Sequence, residues 1–106
     1  MIVAVSNDHR GVRSSKQIRA IIAQLGHECL DLAHKDEQSV DYPDYAYEAA
    51  MAVATGKAQR AILVCGTGIG MCIAANKVKG IRAALCYDEL AAKISRQHND
   101  ANVLCL

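Results

Sequence analysis

Short apolar runs alternate with helix-patterned segments along the whole chain, and this alternation constrains the fold more than any other feature. Ile2–Ser6 (IVAVS) is continuously apolar and too short for a helix, so it reads as a buried strand. Between Val12 and Leu25, Ile18, Ile21, Ile22 and Leu25 recur at helical spacing, and Gly26 is placed to stop that helix. His27–Ala33 (HECLDLA) is a second strand. His34–Asp44 is polar, holds the only proline and reads as a loop. Pro43 is placed to open a helix over DYAYEAAMAVAT, which Gly56 closes. Arg60–Cys65 (RAILVC) is a third strand, followed by a glycine-rich turn and a helix-like MCIAANKV. Ile81–Tyr87 (IRAALCY) is a fourth strand. Asp88–His98 is a helix with Asp88 as N-cap, and Asn102–Leu106 (NVLCL) is a fifth strand.

Strands that are apolar throughout must be covered on both faces, which indicates a parallel sheet. Right-handed crossovers then give a doubly wound, Rossmann-like α/β fold of five parallel strands with helices on both faces. The expected strand order is 2-1-3-4-5.

Composition agrees with one small globular domain. The 106 residues are 52% apolar and 22% charged, with neither Phe nor Trp, so Ile, Leu, Val, Ala and Met must build the core. A net charge of +1 gives no electrostatic basis for nucleic-acid or membrane binding. No run approaches the roughly 18 apolar residues of a membrane span. The first residues carry no basic region ahead of the apolar run, so a cytoplasmic protein is expected. The five cysteines (Cys29, Cys65, Cys72, Cys86, Cys105) are odd in number and lack metal-ligand spacing, which argues against a disulfide framework and against a zinc site.

In a doubly wound sheet, ligands sit beyond the carboxyl ends of the strands. Asp8 and His9 follow the first strand. Cys65 and the turn Gly66-Thr67-Gly68-Ile69-Gly70 follow the third. These two groups should face one another across a crevice. The turn lacks the last glycine of a dinucleotide fingerprint, because Met71 stands there, and it lacks the Gly-Lys-Ser/Thr of a P-loop. What remains is a nest of backbone N–H groups suited to a phosphate or to an oxyanion formed in a reaction. Cys65 is either the last packed residue of its strand or a thiol activated at a helix start. Asp8 is either a helix cap or a site residue, and His9 either a loop residue or its partner. Tyr42 either begins a helix with Tyr45 and Tyr47 or lines a loop over the crevice. His98 ends a helix and precedes a strand, which puts it at the opposite end of the sheet. It is either a solvated helix-end histidine or a residue that enters the crevice of a second subunit.

The segments DHRG, VDYPDYA, ILVCGTGIGMCIAANKVKGIRAALCYD and SRQHNDANVL occur in the order and at about the spacing of the type B ribose-5-phosphate isomerases, a family shared with galactose-6-phosphate isomerase subunits. The resemblance runs from residue 2 to residue 106. It implies a metal-free, cofactor-free aldose–ketose isomerase acting on a sugar phosphate through an enediolate. Residue by residue, it implies Cys65 as the base and His98 as the group that assists ring opening. Gly66, Thr67, Gly68, Ile69 and Gly70 would hold the oxyanion, and Asp8, His9 and Asn99 would bind substrate. It further implies a homodimer or homotetramer with shared sites. The DH…RQHNDAN set favours ribose 5-phosphate. An allose or galactose 6-phosphate isomerase, and a silent sugar-phosphate-binding or partner subunit, are the alternatives.

Two departures from the family stand out. Position 10 is Arg where a small residue is common, which suggests either a solvated side chain or an added phosphate contact. The chain also ends at Leu106, short of the Gly- and Arg-containing stretch and final helix usual in the family, so a C-terminally short domain without its last helix is expected.

Overall fold

Along the first strand, β1 (Ile2–Asn7), side chains alternate between two layers. Val3 and Val5 join Ile22 in one apolar cluster, while Ala4 joins the other. The computed structural model describes residues 1–106. After β1 come α1 (Val12–Gln24), β2 (Glu28–Asp31), α2 (Tyr42–Ala54), β3 (Arg60–Val64), α3 (Ile69–Ala75), β4 (Ala83–Leu85), α4 (Glu89–Gln97) and β5 (Val103–Cys105). All strand pairings are parallel, as the apolar strands require.

The larger core lies between the sheet and the pair α2 and α3. There Ala46, Ala49 and Ala50 are fully buried against Ala61, Leu63, Met71, Val103 and Cys105. The alanine face lets α2 approach the sheet closely, which compensates for the absence of large aromatic side chains. On the other face, α1 buries Ile22 on Val3 and Val5. Between α1 and α4 an apolar cleft of about 320 Å³ remains, lined by Ile22, Leu25, Ile62, Ala92 and Leu104 among others.

The strand order is β2-β1-β3-β5-β4, which corrects the expected 2-1-3-4-5 at its far edge. Burial explains the exchange. Val103 and Cys105 of β5 are 1% and 0% exposed, as a central strand demands, whereas Ala83, Ala84 and Leu85 of β4 stay half-buried. Seating β5 against β3 pairs Ala61, Ile62 and Leu63 with Val103, Leu104 and Cys105. The pairing extends past the strands, with Leu106 N–H donating to Leu63 O and Cys65 N–H to Leu106 O.

Local signals hold at several boundaries. Gly26 and Gly56 follow α1 and α2 with φ of +80° and +82°. Asp88 caps α4 by accepting from Ala91 N–H at 2.7 Å. Helix α2 begins at Tyr42, two residues before Asp44, with Pro43 in its first turn. Helix α3 ends at Ala75, so Asn76–Val78 form a turn rather than the end of a longer helix. No helix is long and apolar enough to cross a membrane.

Candidate active site

The crevice forms where β1 and β3 lie side by side and their following helices depart to opposite faces, the switch point of a doubly wound sheet. Asp8 N–H donates to Val64 O at 3.2 Å, so the ends of the two strands are tied together. Asp8 therefore lies beside the Cys65 turn, with His9 next to it in the chain. The Asp8 carboxylate does not cap α1. It accepts from Arg10 N–H at 2.9 Å, and α1 starts after Gly11 without a side-chain cap. Asp8 is only 5% exposed.

Cys65 is the first residue beyond β3 and is half-buried. Its Sγ accepts the Gly68 N–H at 3.1 Å. That bond depends on Gly68, whose φ of +78° turns the chain back toward the sulfur. A Cβ there would lie 2.6 Å from Leu85 Cδ1 and 2.8 Å from the Leu106 carbonyl carbon. Thr67 Oγ1 accepts from Ile69 N–H at 3.2 Å, and the Tyr87 hydroxyl donates to Thr67 O at 2.9 Å. The N–H groups of Gly66, Thr67 and Gly70 have no acceptor within the chain. The turn is thus a rigid set of unpaired donors beside a sulfur atom, an arrangement that stabilises negative charge.

Tyr42 closes one side. A Cβ on Gly70 would sit 2.5 Å from Tyr42 Cε1 and 2.6 Å from Cζ, so the ring lies directly on the glycine. Arg10 closes another. A Cβ on Gly66 would come within 2.9 Å of Arg10 Cδ. The guanidinium forms no ion pair or hydrogen bond within the chain and is exposed.

His98 and Asn99 lie elsewhere. His98 is the C-cap of α4, and Asn99 O accepts from Arg82 Nε at 2.7 Å. Both are exposed at the amino end of β5, while Cys65 is at the carboxyl end of β3. The intervening strand alone spans roughly 10 Å. One chain does not bring them together.

The remaining cysteines behave as packed residues. Burial pushes the Cys105 thiol up, with the neighbouring Cys72, Cys65 and Cys86 adding to the effect. Burial also raises Cys29, helped by the Asp31 carboxylate. All five are free thiols.

Sequence reasoning missed Tyr87, which braces the turn from 20 residues away. It lies two residues past the end of β4. The scarcity of tyrosine was the available signal. His34 was also missed, being read as part of a polar loop.

Comparison with known proteins identifies the relatives of this chain. The model of the Ribose/Galactose Isomerase family matches residues 3–106. The ribose-5-phosphate isomerase B of Escherichia coli is 45% identical over 102 residues, covering 96% of this chain and 68% of that protein. The D-erythrulose-4-phosphate isomerase of Pectobacterium atrosepticum is 43% identical, covering 98% of this chain and 69% of that one. Among solved structures, the ribose-5-phosphate isomerase B of Clostridium thermocellum superposes with a TM-score of 0.98 at 44% identity, over all of this chain and 72% of that one. The type B ribose 5-phosphate isomerase of Trypanosoma brucei gives 0.95 at 50% identity, over 99% of this chain and 72% of that one. Fold and relatives thus define an α/β protein of the sugar phosphate isomerase class. The chain belongs to the Ribose/Galactose Isomerase family, on the ribose-5-phosphate isomerase B side of it.

Proposed function

We propose that residues 1–106 act as one sugar-phosphate isomerase domain that interconverts ribose 5-phosphate and ribulose 5-phosphate, without metal or cofactor and with Cys65 as the base. The observation that carries this reading is the Cys65 sulfur, held by Gly68 N–H at 3.1 Å beside the unpaired N–H groups of Gly66, Thr67 and Gly70. Hydrogen bonds to sulfur strengthen as it takes negative charge, so this turn suits a thiolate.

The steps follow from those atoms. The Cys65 thiolate removes the C2 proton of the open aldose. The C–H electron pair becomes the C1=C2 bond, and the carbonyl pair moves to O1. The unpaired N–H groups stabilise the resulting enediolate oxygen. The O2 proton then passes to O1, and the Cys65 thiol returns its proton to C1, leaving the ketone at C2. No redox partner is needed, because the oxidation at C2 balances the reduction at C1. Asp8 and His9 bind the sugar phosphate at the strand ends, and Tyr42 packs over it.

His98 and Asn99 fit this scheme only from a second copy, since one chain holds them at the opposite end of the sheet. We therefore assign a homodimer or homotetramer with shared sites, in which His98 assists ring opening and Asn99 contacts the sugar. The similarity to bacterial metabolic enzymes supports a cytoplasmic location.

A second reading, another sugar phosphate, is favoured by the Pectobacterium relative, whose name assigns it a four-carbon substrate at 43% identity. The test is interconversion of ribose 5-phosphate and ribulose 5-phosphate in excess chelator, with allose 6-phosphate, galactose 6-phosphate and erythrulose 4-phosphate in parallel. Turnover of the pentose phosphates well above the others supports the proposal. Faster turnover of another sugar selects the second reading. Binding without turnover of any sugar indicates a silent subunit.

A further inference from the structure

A hydrogen bond joins the loop between β2 and α2 to His9. Val40 N–H donates to His9 Nδ1 at 3.2 Å. Because Nδ1 accepts, the ring proton of neutral His9 sits on Nε2. That leaves His9 as a fixed hydrogen-bond donor.

What holds the loop is His34. Its backbone is fastened to the end of β1, where Asn7 Nδ2 donates to His34 O at 3.0 Å. Its ring is the hub of the loop. Nδ1 meets the Tyr45 hydroxyl at 3.0 Å, and Nε2 lies 2.9 Å from Gln38 O and 3.1 Å from Asp36 Oδ1. A carbonyl only accepts, so Nε2 carries the proton and Nδ1 accepts from Tyr45. The ring also packs edge-on against Tyr45 with centroids 5.4 Å apart. Asp36 Oδ1 in turn accepts from Gln38 N–H at 2.9 Å. The His34 side chain is only 14% exposed in a segment otherwise open to solvent. It links helix α2 to the stretch that ends at Val40.

We infer that His34 is a positioning residue for sugar-phosphate binding: it pins residues 36–40 to Tyr45 so that Val40 fixes His9 as an Nε2–H donor toward the substrate. The inference deepens the isomerase reading and rests on it for the identity of the ligand. The pin itself is a property of the loop and can be tested without any ligand.

The test combines a binding cycle with amide exchange. The probe is ribitol 5-phosphate, which lacks a carbonyl and cannot be isomerised. Its affinity is measured calorimetrically for the wild type, His9→Ala, His34→Phe and the double variant. His34→Phe keeps the ring contact with Tyr45 and removes the hydrogen bonds. It should weaken binding about tenfold in the wild type, the scale of one well-placed hydrogen bond. In the His9→Ala background it should have no further effect, because His34 acts through His9. His34→Gln, whose amide offers both an acceptor oxygen and a donor NH2, should restore affinity to within about threefold of wild type. Exchange of the Val40 amide should be slow in the wild type and fast in both His34→Phe and His9→Ala.

Losses that add in the double variant, or unchanged affinity in His34→Phe, overturn the inference. So does Val40 exchange that stays slow in His34→Phe. If ribitol 5-phosphate binds to no form, the sugar-phosphate reading has failed, and Val40 exchange alone decides whether His34 pins the loop. If His34→Phe does not fold, the comparison passes to Tyr45→Phe, which removes only the hydroxyl. It should speed Val40 exchange, and unchanged exchange overturns the inference.

Discussion

Gly68 donates its backbone N–H to Cys65 Sγ at 3.1 Å, from a left-handed conformation that a side chain there would disrupt. Gly68→Ala adds a Cβ within 2.8 Å of both Leu85 and the Leu106 backbone as well as strain at positive φ. We expect a stability loss of about 1–3 kcal/mol and, because the sulfur loses its alignment, a fall in kcat of about 100-fold. Denaturant unfolding and steady-state kinetics separate the two effects. Wild-type kcat in Gly68→Ala would show that this bond does not matter to the chemistry.

The contact of Tyr42 with Gly70 predicts a paired rescue. Gly70→Ala forces a methyl to within 2.5 Å of the Tyr42 ring. The Tyr42 ring is exposed and can turn aside, so the cost should fall at the low end of overpacking, about 1 kcal/mol. Tyr42→Ala in the same chain removes the obstacle and should recover most of that loss. Two unfolding curves that differ by the sum of the single effects would mean that the ring and the glycine do not interact.

Arg10 lies over Gly66 with its guanidinium unpaired. A cation so placed beside the crevice should raise affinity for a sugar phosphate. Arg10→Ala should raise KM about tenfold with kcat changed less than twofold, since a charge-assisted contact on this exposed side chain falls at the low end of about 1.5–3 kcal/mol. An unchanged KM assigns Arg10 to the solvated surface.

Asp31 supplies a pH signature. Burial opposes its ionisation, but the Lys35 hydrogen bond, the Ala33 N–H and the Arg19 charge prevail, so its pKa is lowered on folding. A lowered carboxylate stabilises the fold above its unfolded pKa of about 3.9, and that stabilisation disappears as the pH falls through the folded value. Wild type should exceed Asp31→Asn by less than about 1 kcal/mol at pH 7, because the pair is solvent-screened. The two stability curves should converge as the solution is acidified below pH 4. Curves that stay parallel would remove Asp31 as the cause.

Much of this architecture could be read from residue order. The apolar runs located all five strands, and the switch point between the first and third put Asp8, His9 and Cys65 together. Placing His98 before the last strand was enough to put it at the wrong end of one chain. The edge order was not legible, because IRAALCY is as apolar as NVLCL and only the packing of Val103 and Cys105 between β3 and β4 makes β5 central. Tyr87 and His34 escaped for a related reason. Tyr87 reaches Thr67 across 20 residues through its hydroxyl alone, and His34 reaches Tyr45 through a loop that local sequence does not specify.

Interconversion of ribose 5-phosphate and ribulose 5-phosphate by the wild type and by Cys65→Ala, in excess chelator, tests the central claim most directly. The account predicts turnover in the wild type and a loss of at least about 1,000-fold in Cys65→Ala, with fold and ribitol 5-phosphate binding retained, because the reaction has lost its base. Equal turnover in the two proteins would contradict it and remove Cys65 from the chemistry.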